Sequence, residues 1–146
     1  MDISLPIDGI TLNIRVAVIL KSKEGYLFEK SKEGYLFVIG GRIKIGESSL
    51  EAARREIFEE VGLHVNELLL SSIIENFFEN RGKVFHEICF VYVHKETLDV
   101  VGLPQNIIVI AEPELHTLDI RPNSMKEVLL SSTKGVSHHI IKPPAA

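Results

Sequence analysis

One cysteine, Cys89, stands in the whole chain, so no disulfide can form within it. A lone thiol among apolar neighbours reads as a buried core side chain. Positive charge is not in excess either: 16 Lys and Arg face 20 Asp and Glu, a net of −4. That balance argues against a protein dominated by non-specific nucleic-acid binding, which carries a basic footprint. It leaves room for a nucleotide whose phosphates are met through metal ions. The apolar runs fall far short of the ~20 residues that span a bilayer. The amino-terminal MDISLPIDG has no cationic stretch leading into an apolar one, so no signal peptide is expected. No Cys or His is spaced for zinc. Nor does any linker or low-complexity tract divide the 146 residues, and one cytoplasmic domain over 1–146 is the expectation.

What is present is a chain of interspersed strands and helices. Residues 10–20, ITLNIRVAVIL, are β-branched and apolar and predict a well-buried strand. KSKEG supplies a turn, with YLFEK (26–30) expected as the antiparallel partner. A second SKEG leads into YLFVI (35–39), so SKEGYLF occurs twice, too short and too few to make a repeat architecture. Two long segments, 68–80 and 83–95, flank Asn80, Arg81 and Gly82 and predict a hairpin. IIVIA (107–111) is a further strand, SMKEVLLSS (124–132) a short helix, and GVSHHIIKPPAA adds a last strand before its prolines. The pattern implies α/β architecture, a mixed sheet covered by helices.

The clearest helix covers 48–61. Ser48 with Glu51 matches a capping box, and Gly62 suits the position after the end. Leu50, Ala53, Ile57 and Val61 share one face that should pack on the core. Yet Glu56, Glu59 and Glu60 crowd its last two turns, where the helix dipole disfavours anions. Like-charge pairs of this kind cost only about 0.2–0.5 kcal/mol each, so a solvated acidic face would be tolerable. Three features favour function instead. The helix is otherwise well made, and a rule broken inside a consistent element marks a site. Gly40 and Gly41 just upstream let backbone approach a ligand. Arg55 lies four residues from both Glu51 and Glu59 and can pin carboxylates by paired hydrogen bonds. Carboxylates with a free carbonyl form a hard, all-oxygen site suited to Mg²⁺ or Mn²⁺.

These residues resemble the Nudix box, G-x5-E-x7-R-E-U-x-E-E-x-G-U, where U is a bulky aliphatic. Gly41, Glu47, Arg55, Glu56, Ile57, Glu59, Glu60, Gly62 and Leu63 fill every specified position over residues 41–63. The resemblance implies an α/β/α sandwich around a mixed sheet, with the box as loop–helix–loop. It implies metal-dependent hydrolysis of a nucleoside diphosphate linked to another moiety, such as a nucleoside triphosphate, a dinucleotide or a nucleotide sugar. Glu56, Glu59 and Glu60 would ligate the metal with the Gly41 carbonyl. Glu47 would join them or orient the metal's water, and Arg55 would orient the helix carboxylates. Relatives are often homodimers, which nothing in this sequence locates.

The general base differs among relatives; Glu96, Asp99, Glu112 and Glu114 are candidates outside the box. Where relatives often carry W-x-x-P-G-G, this chain has Tyr35, Phe37 and Ile39 before its glycines, and no chemical group is lost. The accessory signatures of the ADP-ribose, NADH and coenzyme A pyrophosphatases are absent. ENFFENRGKVFHEI (75–88) is the most distinctive stretch outside the box. Tyr35, Phe77, His86 and Glu87 are the substrate-binding candidates, although Phe77, Phe78 and Phe85 also read as core aromatics of a hairpin. His138 and His139 read as exposed. A non-catalytic nucleotide sensor and an RNA 5′-end pyrophosphohydrolase are the alternatives; the complete box disfavours the first and the acidic charge the second.

Overall fold

The computed structural model describes residues 1–130 and 135–142. Ten residues of ITLNIRVAVIL form the central strand, β2 (Ile10–Ile19), whose side chains alternate between two apolar layers. Val16 and Val18 face one cluster, Ala17 and Ile19 the other. A strand buried on both faces needs cover on both, and the chain supplies it. Helix α1 (Ser49–Val61) lays Ala52, Ala53 and Ile57 against the first cluster. A 3₁₀ helix (Glu112–Thr117) and α2 (Met125–Leu130) close the second through Leu115, Met125, Val128 and Leu129. The result is the expected α/β/α sandwich around a mixed sheet.

Strands β1 (Ser4–Ile7), β3 (Lys21–Ser22), β4 (Gly25–Lys30), β5 (Leu36–Arg42), β6 (Leu69–Asn80), β7 (Lys83–Val93), β8 (Ile107–Ile110) and β9 (Ser137–Ile141) complete the sheet. Its order is β3-β4-β5-β2-β7-β6-β9, with β1 beside β2 and β8 beside β4. The β2–β7 and β6–β9 pairs are parallel and the others antiparallel. The 68–80/83–95 hairpin is present, turned by Arg81 (φ 52°) and Gly82 (φ 77°).

Two differences from the sequence reading stand out. YLFEK is not the partner of β2: β4 pairs with β3, β5 and β8, while β2 lies between β5 and β7. The SKEG turn instead folds β3 onto β4, and the Leu27 N–H donates to the carbonyl of Leu20, just past the end of β2, at 3.0 Å. Strand β1 was missed, since Pro6 weakens any strand reading. Its signal was the Asp8-Gly9 pair, both at positive φ, which is the chemistry of a two-residue hairpin turn. Of 124–132, the helix occupies Met125–Leu130, and Ser131 and Ser132 lie outside the described residues, as do Pro143 and Pro144.

Candidate active site

The site begins at the loop between β5 and α1. Ser48 Oγ accepts from the Glu51 N–H (3.1 Å) and Glu51 Oε2 accepts from the Ser48 N–H (3.2 Å), so the capping box closes. Gly62, at φ 80°, ends the helix with its N–H on the Phe58 carbonyl, 3.0 Å. With both ends fixed, Arg55, Glu56, Glu59 and Glu60 are fixed in phase toward the loop.

Arg55 organises them. Its Nε and Nη2 meet the two oxygens of Glu47 at 2.7 and 2.9 Å, a bidentate pair. Its Nη1 donates to Glu56 (2.9 Å) and Glu59 (3.2 Å), and Nη2 also reaches the Arg42 carbonyl (3.1 Å). Glu51, spent on the cap, is not among its partners. Glu47 also accepts from the Lys44 N–H, 3.0 Å. The Arg55 hydrogen bonds hold the Glu47 carboxyl below the usual range, and they raise Arg55 further above neutrality.

Glu60 is treated differently. Burial, then the charges of Glu29 and Glu56, push its carboxyl up to about 8. The Gly40 N–H, 3.3 Å away, compensates only in part. Gly41 lies against the Glu56 carboxylate so closely that a Cβ there would collide with it, and a Cβ on Gly40 would strike the Val16 carbonyl. Gly40 is therefore required by close approach to backbone, whereas a side chain at Gly41 would displace the Glu56 carboxylate.

Among the described residues, no three His, Cys, Asp or Glu side chains stand close enough to enclose a metal ion. The reason is visible: Arg55 draws Glu47, Glu56 and Glu59 to itself, while Glu60 turns to Gly40. The donor chemistry nonetheless fits a hard cation. The donors are carboxylate oxygens, Gly41 makes room for one of them, and burial together with the neighbouring charges of Glu29 and Glu56 raises the Glu60 carboxyl, a cost that a cation would relieve.

Beside this cluster a cleft of about 850 Å³ opens over the α2 side of the sheet, bordered by Gly40 and Glu29 at one end. The NUDIX domain family model matches residues 11–132, most of the chain.

The chain belongs to the NUDIX domain family.

With membership comes the class of reaction: it is a Nudix hydrolase, acting on phosphoric anhydrides. Solved structures agree on the fold. A MutT protein from Bacillus halodurans superposes with a TM-score of 0.69 at 22% identity, covering 88% of this chain and 90% of that one. The Ap4A hydrolase of C. elegans gives 0.56 at 18%, covering 81% and 93%. An ADP-ribose pyrophosphatase from Streptococcus suis gives 0.56 at 12%, covering 86% and 98%. No curated protein matches the sequence. Nudix hydrolases generally use divalent metals and act on small nucleotides. No helix among the described residues is long and apolar enough to cross a membrane.

The substrate candidates of this Nudix chain separate by strand register. Glu87 shares a face with Phe85 and Cys89, and all three border the cleft. Phe78 stands opposite Phe85, the rings stacked at 4.9 Å and 12°. Phe77 instead pairs with His86 on the other face, ring to ring at 4.3 Å, under Lys142 Nζ at 5.2 Å. Phe77 still touches the cleft edge; His86 does not border it, and its Nε2 is buried without a partner among the described residues. None of the three phenylalanines is a core residue: all are half-buried, because the hairpin extends beyond the helices that cover its base. Tyr35 lies on the rim beneath the Arg121 guanidinium, 4.0 Å from the ring centre, and Arg121 is paired with Asp119.

Glu96, Asp99, Glu112 and Glu114 are exposed and none borders the cleft. His138 is exposed, on Glu75 at 2.7 Å, whereas His139 is half-buried against Ser137. Cys89 is buried as expected, its thiol pushed up to about 12. Sequence reasoning missed Glu29, Arg15, Asn13 and Arg121. For Asn13 and Arg15 a signal existed: they are the polar residues at alternate positions of an otherwise apolar strand.

Proposed function

We propose that this chain is a divalent-metal-dependent hydrolase that cleaves the pyrophosphate bond of a nucleoside diphosphate linked to another moiety. The supporting observation is the junction at Gly40. The same residue donates its N–H to Glu60 and borders the cleft, so the carboxylate cluster and the substrate-sized space meet there. An acidic face that was merely solvated would have no reason to abut a partly apolar cleft of about 850 Å³.

Glu56, Glu59, Glu60 and the Gly41 carbonyl would hold Mg²⁺ or Mn²⁺. Such an ion acidifies a bound water and neutralises charge on the phosphate oxygens. The chain's own residues set the stage. Arg55 orients Glu56 and Glu59 from the helix side. Glu47 has both oxygens on Arg55, which supports an orienting role rather than a direct one. Arg15 faces the cleft and makes no ion pair among the described residues, leaving its guanidinium for a phosphate. The proton of the attacking water passes to a carboxylate at the Gly40 end, where Glu29 and the box glutamates are the available acids.

The test is hydrolysis of a panel of nucleoside triphosphates, 8-oxo nucleotides, dinucleoside polyphosphates, ADP-ribose, nucleotide sugars, NADH and capped RNA. Each is offered with Mg²⁺, Mn²⁺ or chelator, to wild type and Glu59→Gln. Glu59 is exposed and its side chain's hydrogen-bond partner among the described residues is Arg55, so the variant should fold. A chelator-sensitive activity reduced at least ~100-fold in the variant is expected, the scale of losing a charge-stabilising group. Turnover surviving with unchanged metal dependence would remove the assignment.

A further inference from the structure

Asn13 sits in the centre of the sheet, 1% exposed, where an apolar side chain would pack at no polar cost. Its Nδ2 donates to Glu87 Oε2 at 2.8 Å. A carboxylate only accepts, so this bond fixes which way the amide points. The price is Oδ1, which is buried with no partner among the described residues. An unsatisfied amide at a core position secures one thing, the orientation of Glu87. Glu87 in turn borders the cleft and, among the described residues, makes no ion pair and accepts no hydrogen bond on Oε1. A half-buried carboxylate held from behind and open in front is arranged to receive donors. Beside it the stacked Phe78 and Phe85 give a flat apolar flank to a planar ring.

The position along the sheet matches a nucleotide. Ala17 of β2 is level with Gly40, and Asn13 is level with Glu87. Four residues of strand separate the two levels, about 13 Å at the usual rise. Arg15 faces the cleft midway. A pyrophosphate at Gly40 would therefore bring its base to Glu87.

We propose that Glu87, oriented by Asn13, is the specificity-determining group, selecting bases whose edge offers two adjacent N–H donors. Guanine does so through N1–H and its 2-amino group, and one carboxylate can accept both. Adenine and cytosine present a donor beside a ring acceptor, whose lone pair the carboxylate repels. Uracil has one N–H between two carbonyls, and hypoxanthine keeps N1–H but lacks the amino group. The inference rests on the nucleotide-in-cleft reading above, with Asn13 as a positioning residue that does not touch the base.

The experiment measures binding of GMP, IMP and AMP by calorimetry in metal-free protein, alongside kcat/KM for GTP, ITP and ATP with metal. Wild type should favour GMP over IMP at least ~10-fold, since the missing amino group removes one charge-assisted bond, and AMP should bind more weakly still. Glu87→Gln should bring the GMP/IMP ratio to within about 2-fold. Asn13→Leu should lower the same ratio in protein that still folds, a change in base selection that a purely structural role for the amide would not produce. Wild type binding the three monophosphates equally, or none of them, overturns the proposal, as does a ratio unmoved by Glu87→Gln. Selective GMP binding without turnover of any substrate would instead refute hydrolysis and leave base selection standing. Turnover blind to the base would do the reverse.

Discussion

Replacing Arg55 by lysine tests whether one guanidinium holds the carboxylate cluster. Charge is kept and helix propensity is nearly equal, so neither accounts for an effect. Geometry is what changes. Arg55 makes five hydrogen bonds of 2.7–3.2 Å, to Glu47 twice, Glu56, Glu59 and the Arg42 carbonyl. An ammonium has three donors on one atom and cannot reproduce the fork, so at least two bonds are lost. Bonds to charged groups contribute about 1.5–3 kcal/mol each. The Arg55 side chain is 20% exposed and Glu47 15%, so water recovers part of the loss and the low end applies. The expected destabilisation is about 3 kcal/mol, or a Tm lower by roughly 6–12 °C for a domain of this size. Thermal unfolding in chelator, monitored by circular dichroism, reads it directly. The Glu47→Gln and Arg55→Lys double-mutant cycle should show coupling, because the pair is in contact. A single variant melting within 1 °C of wild type, with no coupling, would refute the claim that Arg55 organises the loop and helix.

The metal-free protein should lose stability as pH rises from about 4.5 to about 8. Glu60 keeps its proton in the folded state where the unfolded chain gives it up, so the folded state binds more protons over that window. Glu60→Gln should flatten the slope in a Tm-versus-pH series, and an unchanged slope would contradict the crowding of acid described. Glu47 acts in the opposite sense: its contribution is present at neutral pH and declines as pH falls through its lowered pKa. Ser48→Ala should cost about 1 kcal/mol by opening the capping box, measurable by urea denaturation.

Local chemistry made much of this molecule legible. The capping box, the Gly62 stop and the acid cluster are short-range features, and α1 follows from them. The 80–82 hairpin was equally local. What sequence could not show is which strands become neighbours. The parallel β2–β7 pairing joins residues 74 positions apart at Asn13 and Glu87, and nothing near either predicts the other. The candidate site divides on the same line. The box residues were found together, whereas Glu29 and Arg15 enter the cleft through tertiary placement alone. Picking His86 with Glu87 from the words FHEI overlooked that adjacent strand residues face opposite ways.

The alternation of β2 has a consequence for how such an enzyme can change. Ala17, Arg15 and Asn13 are rungs on one rigid ladder, spaced two residues apart and tied to β7 on one side and, on the other, to β5 at Ala17 and Arg15 and to β1 at Asn13. A slip of one residue would turn every rung into the α1 core, so intermediate spacings are forbidden. With a pyrophosphate at Gly40, as proposed, the distance from it to whatever reads the far end of the substrate would change only in jumps of about 7 Å. On that reading, drift toward a longer or shorter substrate would proceed by steps along the strand, while the loops and the Arg121–Tyr35 rim can adjust continuously.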